Sequence, residues 1–436
     1  MNRKRGNGSL SGAWYVTLVF FIFVVLHYAD KFLISPLLPL VRDEFRLGYT
    51  ELGAIETGTI LVAVAFMPLW GYLFDKYARP PLVALASAVW GGTTILSTFS
   101  QNYLQLIVTR SMTGIDNQAT SGLMSFLGDY FPPEKRATAL GVLQAAETFG
   151  ALIGVIIGLL IGVSFGWRNA FLITAAPGVL LALVVLFTVK DVPRGGTEPE
   201  LVNVRDRLKD TFSIKSLKKL FERRSVFFLY LQGFFGVFPW NILSYWLFTY
   251  MTDVRGFEPG SQLLVMLAAL LSMVAGNILA GMTGDWAFRR NRRGRVVFAT
   301  ITVIIGLIFF DMAFLTKGGV ELFLLLGALT ALFMPMAGPC VSSSVQDVAL
   351  PEVRGSAMAM LLFFYNVGSA FAPLITGYVA DRIGLEWGIV TIVNITWSIC
   401  IILLSMAAVF IPRDIEWKRR ELAERAKKLG SEQKVL

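Results

Sequence analysis

Twelve long apolar segments are the feature that most constrains how this chain can fold. Each is long enough to cross roughly 30 Å of hydrocarbon as an α-helix, which takes about 20 residues. A chain of 436 residues that is 55% hydrophobic and 16% charged, with a mean hydropathy of +0.63, is too apolar for a soluble domain. The sequence therefore predicts an all-α polytopic membrane protein. The predicted spans are 14–40, 51–74, 81–100, 103–130, 135–164, 167–190, 225–252, 260–288, 295–316, 320–345, 353–382 and 386–411.

The distribution of basic residues agrees with twelve spans. If both termini are cytoplasmic, 31 of the 39 Lys and Arg residues fall in cytoplasmic segments or at the cytoplasmic ends of spans, and only Lys31 and Arg110 lie in the interior of spans. This bias predicts cytoplasmic N- and C-termini, and we expect the plasma (inner) membrane as the location. Because the net charge of +9 then belongs to loops that face anionic lipid, it does not indicate a nucleic-acid partner.

One long polar interruption, residues 191–224, separates six spans from six. It predicts an N-terminal bundle at 1–190, a cytoplasmic linker at 191–224, a C-terminal bundle at 225–411 and a cytoplasmic tail at 412–436. In the linker, Leu and Phe are interleaved with Lys and Arg, which is typical of an amphipathic helix on the inner leaflet. A solvated basic tether is the alternative.

The two halves carry a matching pattern in the loop after their second span. The first is GYLFDKYARP, from Gly71 to Pro80, and the second is GMTGDWAFRR, from Gly281 to Arg290. In each, a glycine suited to close helix packing precedes an Asp at a helix end and nearby cations. Such charged clasps can hold two bundles in one conformation and release them in another. The predicted gating residues are Gly71, Asp75, Lys76, Arg79, Gly281, Asp285 and Arg289.

The first of these loops resembles the loop 2/3 signature of the major facilitator superfamily, although Ala78 and Pro80 depart from it. A third match, GYVADRIG at 377–384, falls on the outer side and is interpreted as a shared packing pattern. Within the superfamily, HYADKF at 27–32 and SVQDVALPEVRGSAMAM at 344–360 resemble the spinster-like branch, whose relatives export lysolipids or phosphorylated sphingoid bases. The resemblance implies two six-helix bundles related by pseudo-two-fold symmetry. It also implies that Asp30 stands at the position of the suspected proton carrier.

Three ionisable residues interrupt the first apolar segment: His27, Asp30 and Lys31. At about 100° per residue they share one face of a helix. A charge at bilayer depth costs at least about 2.5 kcal/mol, so this face should meet a partner helix or a water-filled cavity. Asp30 is the best candidate for a proton-coupling carboxylate, and a permanent ion pair that locks helices is the alternative. His27, the one histidine of the chain, either relays protons or is a neutral hydrogen-bonding group.

Arg110 is the second cation within a span, and it requires an anion because it cannot lose its proton. The partner is a substrate phosphate or a carboxylate, for which Asp30, Glu56 and Glu147 are candidates. Asp116 is about 120° round the helix from Arg110, which argues against direct pairing. The spinster-like branch usually has a glutamate where this chain has Asn117. The predicted proton-coupling and substrate residues are His27, Asp30, Lys31, Glu56, Arg110, Asp116, Asn117 and Glu147.

The seventh segment is crowded with aromatic residues around Pro239. A proline can break the helix, and aromatic side chains can line a path for a lipid-sized substrate. Alternatively, these aromatics face lipid or the membrane interface. The predicted cavity residues are Phe238, Trp240, Asn241, Tyr245 and Trp246.

The sequence lacks the motifs of an enzyme. It has no metal-spaced His/Cys cluster, no phosphate-binding loop with its lysine and no Gly-x-Ser-x-Gly elbow, so we expect no cofactor and no metal. Without a nucleotide site, energy for transport should come from an ion gradient. We therefore predict a monomeric, proton-coupled secondary transporter of an amphipathic organic anion such as a lysolipid. A transporter of a small organic acid, sugar acid or drug is the alternative, and a non-transporting membrane sensor of the same fold is a third interpretation.

Overall fold

The described part of the protein is built from α-helices and contains no β-strand. The structure, a computed structural model, describes residues 10–116, 122–123, 126–127, 130–131, 133–192, 222–350 and 353–432. Helices suit a membrane because their backbone hydrogen bonds are satisfied internally. In chain order they are α1 Leu10–Phe45, α2 Tyr49–Lys76, α3 Arg79–Thr98, α4 Tyr103–Met112, α5 Pro133–Ile157, α6 Trp167–Thr188, α7 Arg224–Gly236, α8 Phe238–Asp253, α9 Pro259–Arg290, α10 Gly294–Leu315, α11 Val320–Phe333, α12 Ala337–Val348, α13 Arg354–Ile383 and α14 Leu385–Glu432.

Eleven described helical segments are long and apolar enough to cross a membrane. Their ends lie within five residues of the predicted ones, except that the last segment continues past residue 411. This helix runs through Pro412 to Glu432, because the residues that follow are rich in strong helix formers such as Lys, Arg, Glu and Ala. The predicted span at 103–130 is described only in part, as α4 and a 3₁₀ turn at Thr113–Ile115. The predicted amphipathic helix of the linker lies almost wholly outside the described residues.

The chain divides into two compact units. The first comprises Met1–Arg207, Leu243–Leu263 and Ala370–Leu385, and the second comprises Leu208–Ile242, Leu264–Ser369 and Glu386–Leu436. The first unit therefore joins the helices of the first half of the sequence to two segments from the second half. The predicted bundles at 1–190 and 225–411 stay predictions.

Glycines at every fourth position let α5 pack closely on α1. A Cβ atom at any of them would meet α1 atoms at less than a normal contact distance, so the helix backbones can approach only because no side chain stands between them. The second half of this stripe lies in a π-helical turn at Gly158–Gly162, which is followed by a last α-helical turn at Val163–Phe165. The glycines of the stripe are Gly150, Gly154, Gly158 and Gly162.

The N-terminus of α2 is capped by a residue far away in the sequence. The Asp381 carboxylate accepts hydrogen bonds from the backbone N–H groups of Tyr49 at 2.7 Å and Thr50 at 2.9 Å, and also from the Thr50 hydroxyl. These N–H groups have no partner inside the helix, and a negative charge suits this end of the helix dipole. The capping residue lies near the end of α13, so it ties α2 to that helix.

Close backbone contacts extend this attachment along both helices. A Cβ atom at Gly53 would lie 2.5 Å from the carbonyl oxygen of Pro373, and a Cβ atom at Gly377 would overlap the carbonyl of Tyr49. The Thr57 hydroxyl donates to the Ala370 carbonyl at 2.6 Å. The interpretation of GYVADRIG as a packing pattern is confirmed at Gly377.

Candidate functional site

His27, Asp30 and Lys31 of α1 line one cavity of the first unit, as their helical spacing predicts. Its lining residues are His27, Asp30, Lys31, Glu56, Thr59, Trp90, Arg110 and Thr113, and we call this space the charged cavity. The volume open to the centres of water molecules is about 20 Å³, which is room for roughly one or two waters. The structure thus brings together five of the predicted site residues.

Asp30 and Arg110 form a buried ion pair in this cavity. Arg110 Nη1 donates to Asp30 Oδ2 at 3.1 Å, and each residue is only 3% exposed. Of the partners that the sequence left open for Arg110, the structure selects Asp30. The Arg110 guanidinium also lies 4.8 Å from the centre of the Phe171 ring, a cation–π contact. Its Nε–H has no acceptor among the described residues.

Two threonines complete the hydrogen bonding of Asp30. Thr94 of α3 donates its hydroxyl to Oδ2 at 3.2 Å, and Thr174 of α6 donates to Oδ1 at 3.2 Å. Both threonines are fully buried. The Asp30 carboxylate therefore has one charged and two neutral donors, which is how a buried ionised carboxylate is stabilised. Neither residue stands out in the sequence, because a threonine in an apolar helix carries no charge that would single it out.

His27 pairs with Asp116 rather than with Asp30. The distance from His27 Nδ1 to Asp116 Oδ2 is 3.3 Å, and the two residues are 5% and 0% exposed. The imidazole lies among aromatic rings, 5.5 Å from Trp90 and 6.0 Å from Phe23 between ring centres. Asp116 directly follows the 3₁₀ turn at Thr113–Ile115, and its ion-pair partner is His27 rather than Arg110. Asn117 lies outside the described residues.

Two further carboxylates lie near the α1 charges. Glu56 lines the charged cavity, where Lys31 and Arg110 are its neighbouring opposite charges. Glu147 of α5 is hydrogen-bonded to the Tyr28 hydroxyl and lies near Lys31 and His27. The Lys31 ammonium lies 5.8 Å from the centre of the Tyr28 ring. The stripe of α1 is thus surrounded by carboxylates from α2, α5 and the turn after α4.

The predicted cavity aromatics occupy different environments. The helix is interrupted at Val237, between α7 and α8, next to Pro239. Trp240 lines a second cavity, whereas Phe238, Tyr245 and Trp246 are buried, at 3%, 4% and 0% exposure. Tyr245 donates its hydroxyl to the Leu52 carbonyl at 2.6 Å, and Trp246 Nε1 donates to the Pro373 carbonyl at 3.3 Å. Asn241 donates to Ser369 Oγ at 2.9 Å.

The second cavity belongs to the second unit and is mainly apolar. About 200 Å³ is open to the centres of water molecules. Methionine, proline and aromatic side chains dominate its walls, and we call it the apolar cavity. Its lining residues are Gln232, Gly236, Val237, Trp240, Met273, Met334, Pro335, Ala337, Gly338 and Tyr365.

The first predicted clasp is only partly described. Lys76 donates to the Tyr72 hydroxyl at 2.7 Å, and Arg79 is buried with its guanidinium 5.4 Å from the Phe126 ring centre. Asp75 is in α2, but its side chain lies outside the described part. No described atom lies within 4 Å of a Cβ placed on Gly71 or on Gly281. Among the described residues, these two glycines therefore make no close helix contact, and their role in helix packing stays a prediction.

The second clasp is an ion cluster centred on a residue that sequence analysis did not single out. Arg295 donates to Asp285 Oδ1 at 2.6 Å and also pairs with Asp347. The predicted cation Arg289 is exposed on α9. Arg295 was counted only among the loop charges, and its place at the start of α10, facing both carboxylates, required the fold.

The described residues contain no group of three or more His, Cys, Asp or Glu side chains that could hold a metal ion. Cys340 and Cys400 are both buried and free. The side chains that line the charged cavity offer ionic and hydrogen-bonding contacts.

Known transporters resemble this chain over most of its length. The hexuronate transporter of Bacillus subtilis is 24% identical over 388 residues, covering 85% of this chain and 88% of that protein. The sphingosine-1-phosphate transporter SPNS2 of Danio rerio is 22% identical over 380 residues, covering 82% and 74%. A crystal structure of a bacterial homologue of the human lysosomal transporter Spinster, inward-facing and unoccupied, superimposes with a TM-score of 0.83 at 18% identity, covering 93% of this chain and 99% of that one.

The all-α fold, the polytopic architecture and the resemblance to spinster-like transporters are therefore confirmed. Relatives of this kind are transporters, not enzymes. The sequence model of the Major Facilitator Superfamily matches residues 20–320 and, in a second match, residues 301–435. This integral membrane protein belongs to the Major Facilitator Superfamily.

Proposed function

We propose that the protein is a proton-coupled secondary transporter that moves an amphipathic organic anion, such as a lysolipid, by alternating access. The observation that carries this proposal is the buried Asp30–Arg110 pair in a cavity that also contains Lys31. Charged groups are expensive at membrane depth and usually mark substrate and ion pathways. Midplane sites that open alternately to either side are the common arrangement of secondary transporters.

Competition for Arg110 supplies the coupling step. The Nε–H group of Arg110 has no described acceptor, so a substrate anion can bind Arg110. Arg110 then pairs with the substrate, and Asp30 loses its positively charged partner. A buried carboxylate that has lost its cation is costly, because the two remaining threonine hydroxyls are neutral donors. Asp30 then gains a proton. Anion and proton would in this way bind together. The loaded site would then carry less net charge across the membrane than it would with the anion alone.

The amphipathic character of the substrate is supported by two features. Lys31 and Arg110 in the charged cavity suit a phosphate, carboxylate or sulfonate group. One similar protein is named for sphingosine-1-phosphate, an amphipathic anion. A small organic or sugar acid is the second candidate, since another is named for hexuronate and the charged cavity itself is small.

The orientation of the protein follows from its loop charges. We propose cytoplasmic N- and C-termini, because 31 of the 39 basic residues then lie on the cytoplasmic side. We also propose the plasma membrane as the location and a monomer as the working unit. The Asp285–Arg295–Asp347 cluster would act as a gating clasp there.

Proton and substrate flux in proteoliposomes tests this proposal. Purified wild type is challenged with a panel of lysophospholipids and with glucuronate, while a pH-sensitive dye reports proton movement inside the vesicles. Asp30→Asn and Arg110→Ala are compared with Asp311→Asn, a matched carboxylate of α10 that accepts from Asn394 at 2.7 Å outside the charged cavity. We expect lysolipid to drive proton movement in wild type and Asp311→Asn only.

Each alternative predicts a different result. Proton movement with glucuronate but not with lysolipid would favour the small-acid transporter. Substrate movement without protons, unaffected by Asp30→Asn, would show that Asp30 is a structural ion-pair partner and would contradict coupling. Binding of lysolipid without flux in any preparation would favour the membrane sensor.

A further inference from the structure

Asp116 is a fully buried carboxylate that the coupling step at Asp30 does not use. It is 0% exposed, and it follows the 3₁₀ turn at Thr113–Ile115. Beyond the His27 ring, the described side chains supply no hydrogen-bond donor to either of its oxygens. Asp30, by contrast, accepts from Arg110, Thr94 and Thr174. The two carboxylates are therefore stabilised in opposite ways.

An ionised Asp116 next to a neutral His27 would be a buried anion without a neighbouring cation to balance its charge. Removing such a charge from water is costly unless an opposite charge pairs with it. One proton on the pair removes this cost. It either makes an imidazolium paired with the carboxylate across 3.3 Å, or it makes a neutral carboxylic acid beside a neutral imidazole. In both cases the proton belongs to the pair rather than to one residue.

We propose that His27 and Asp116 form a second proton-binding site, which holds one shared proton in this conformation and is separate from the Asp30–Arg110 pair. His27 is the connection to water, since it lines the charged cavity whereas Asp116 does not. The ring presents Nδ1 to Asp116, so a proton that reaches the imidazole from the cavity can be passed to the carboxylate.

The neighbouring charges supply no spare cation to this site. Asp30 lies on the same helix as His27, and Arg110 of α4 pairs with it. Lys31 is the opposite charge near both Glu56 of α2 and Glu147 of α5, and Glu147 is also hydrogen-bonded to Tyr28. The described charged groups around the pair are thus three carboxylates and two cations, and Asp116 has a matching cation only when the pair carries its proton.

The proton should leave when a conformational change lets more water reach Asp116. Solvation removes the cost of the ionised carboxylate, so the pair no longer requires the proton. The use of this proton in transport rests on the proposed function, whereas the binding of the proton does not. If the second proton site and the proposed function both hold, each transport cycle carries one proton more than the Asp30 step alone.

The single histidine makes a direct test possible. Because the chain contains one His, protein labelled with ¹⁵N-histidine gives imidazole signals from His27 alone. Solid-state NMR in proteoliposomes near neutral pH would read its protonation state, and infrared spectra would read buried carboxylic acids. Wild type is compared with Asp116→Asn and with Asp311→Asn as the matched control.

We expect one of two signatures in wild type and in the control. Either His27 is an imidazolium that becomes neutral in Asp116→Asn, or the infrared band of a buried carboxylic acid is lost in Asp116→Asn. A neutral His27 in all three proteins, with no carboxylic acid band removed by Asp116→Asn, overturns the proposal.

Flux measurements distinguish failure of this second proton site from failure of the proposed function. We expect Asp116→Asn to lower the ratio of protons to substrate by one, while Asp30→Asn removes coupling. If the spectra show the shared proton but no proton moves with substrate in wild type, the site stands and the coupled transporter fails. If Asp30→Asn removes coupling and the spectra show no shared proton, the transporter stands and the second site fails.

Discussion

Replacing Asp381 with Asn should loosen the attachment of α13 to α2. The carboxylate caps α2 through the backbone N–H groups of Tyr49 at 2.7 Å and Thr50 at 2.9 Å. Such a cap contributes about 0.5–2 kcal/mol through its hydrogen bonds and the helix dipole. Asn retains one acceptor oxygen but loses the charge, so we expect a loss of about 1 kcal/mol. That is roughly a fivefold rise in the population in which residues 370–385 have moved away from α2.

A thiol at position 57 can report this movement. Thr57 is 6% exposed, and its hydroxyl contacts the Ala370 carbonyl at 2.6 Å, so a thiol introduced by Thr57→Cys meets a maleimide only after α13 has moved. The native Cys340 and Cys400 are buried and provide a slow internal reference. In the Thr57→Cys protein, Asp381→Asn should raise the alkylation rate about fivefold if opening is fast relative to labelling.

Asp43→Asn is the matched control for this experiment. Its side chain is 70% exposed and pairs with Arg42 at 3.0 Å, and such surface ion pairs contribute about 0–1 kcal/mol. We expect the labelling rate to change less than about twofold. Equal rates in the Asp381→Asn and Asp43→Asn proteins would refute the idea that the cap holds α13 in place.

Two further predictions concern packing and buried hydrogen bonds. The double change Thr94→Val and Thr174→Val removes two donors from the buried carboxylate of α1 while keeping side-chain shape, and should cost about 1–3 kcal/mol, seen as a lower melting temperature in nanodiscs. Thr93→Val, whose hydroxyl bonds only to carbonyls of its own helix, should cost clearly less, and equal melting shifts would contradict this account. Gly53→Ala places a methyl group 2.5 Å from a backbone carbonyl of α13 and should lower the melting temperature, whereas Gly92→Ala meets no described atom within 4 Å and should leave it unchanged or raise it.

The positions of the membrane spans could be predicted because they depend on apolar length, which is a property of the sequence alone. The shared face of His27, Asp30 and Lys31 was also predictable, since helical periodicity fixes it. Which of the three candidate carboxylates pairs with Arg110 could not be predicted. It depends on how α1 and α4 approach each other, which periodicity within one helix does not describe.

The features that could not be predicted depend on contacts between segments that are distant in the sequence. Arg295 had no distinguishing mark in a loop rich in basic residues, yet it joins Asp285 and Asp347. Asp381 could be assigned to a packing pattern from its neighbours, but its role as a helix cap depends on the N-terminus of α2, more than 300 residues away. Such roles depend on which two segments pack against each other, and a single sequence does not show this directly.

The π-helical turn at Gly158–Gly162 has a consequence for the register of α5 on α1. In a regular α-helix, positions four residues apart drift by about 40° around the axis, so a stripe with this spacing turns away from its partner within a few turns. A π-helical turn takes in an extra residue and rotates the chain in the opposite sense relative to that drift. Gly162 therefore still meets Leu37 of α1. The π-helical turn thus cancels the rotation that builds up along the glycine stripe. Glycines spaced four residues apart can therefore keep facing α1, although the α-helix itself has fewer than four residues per turn.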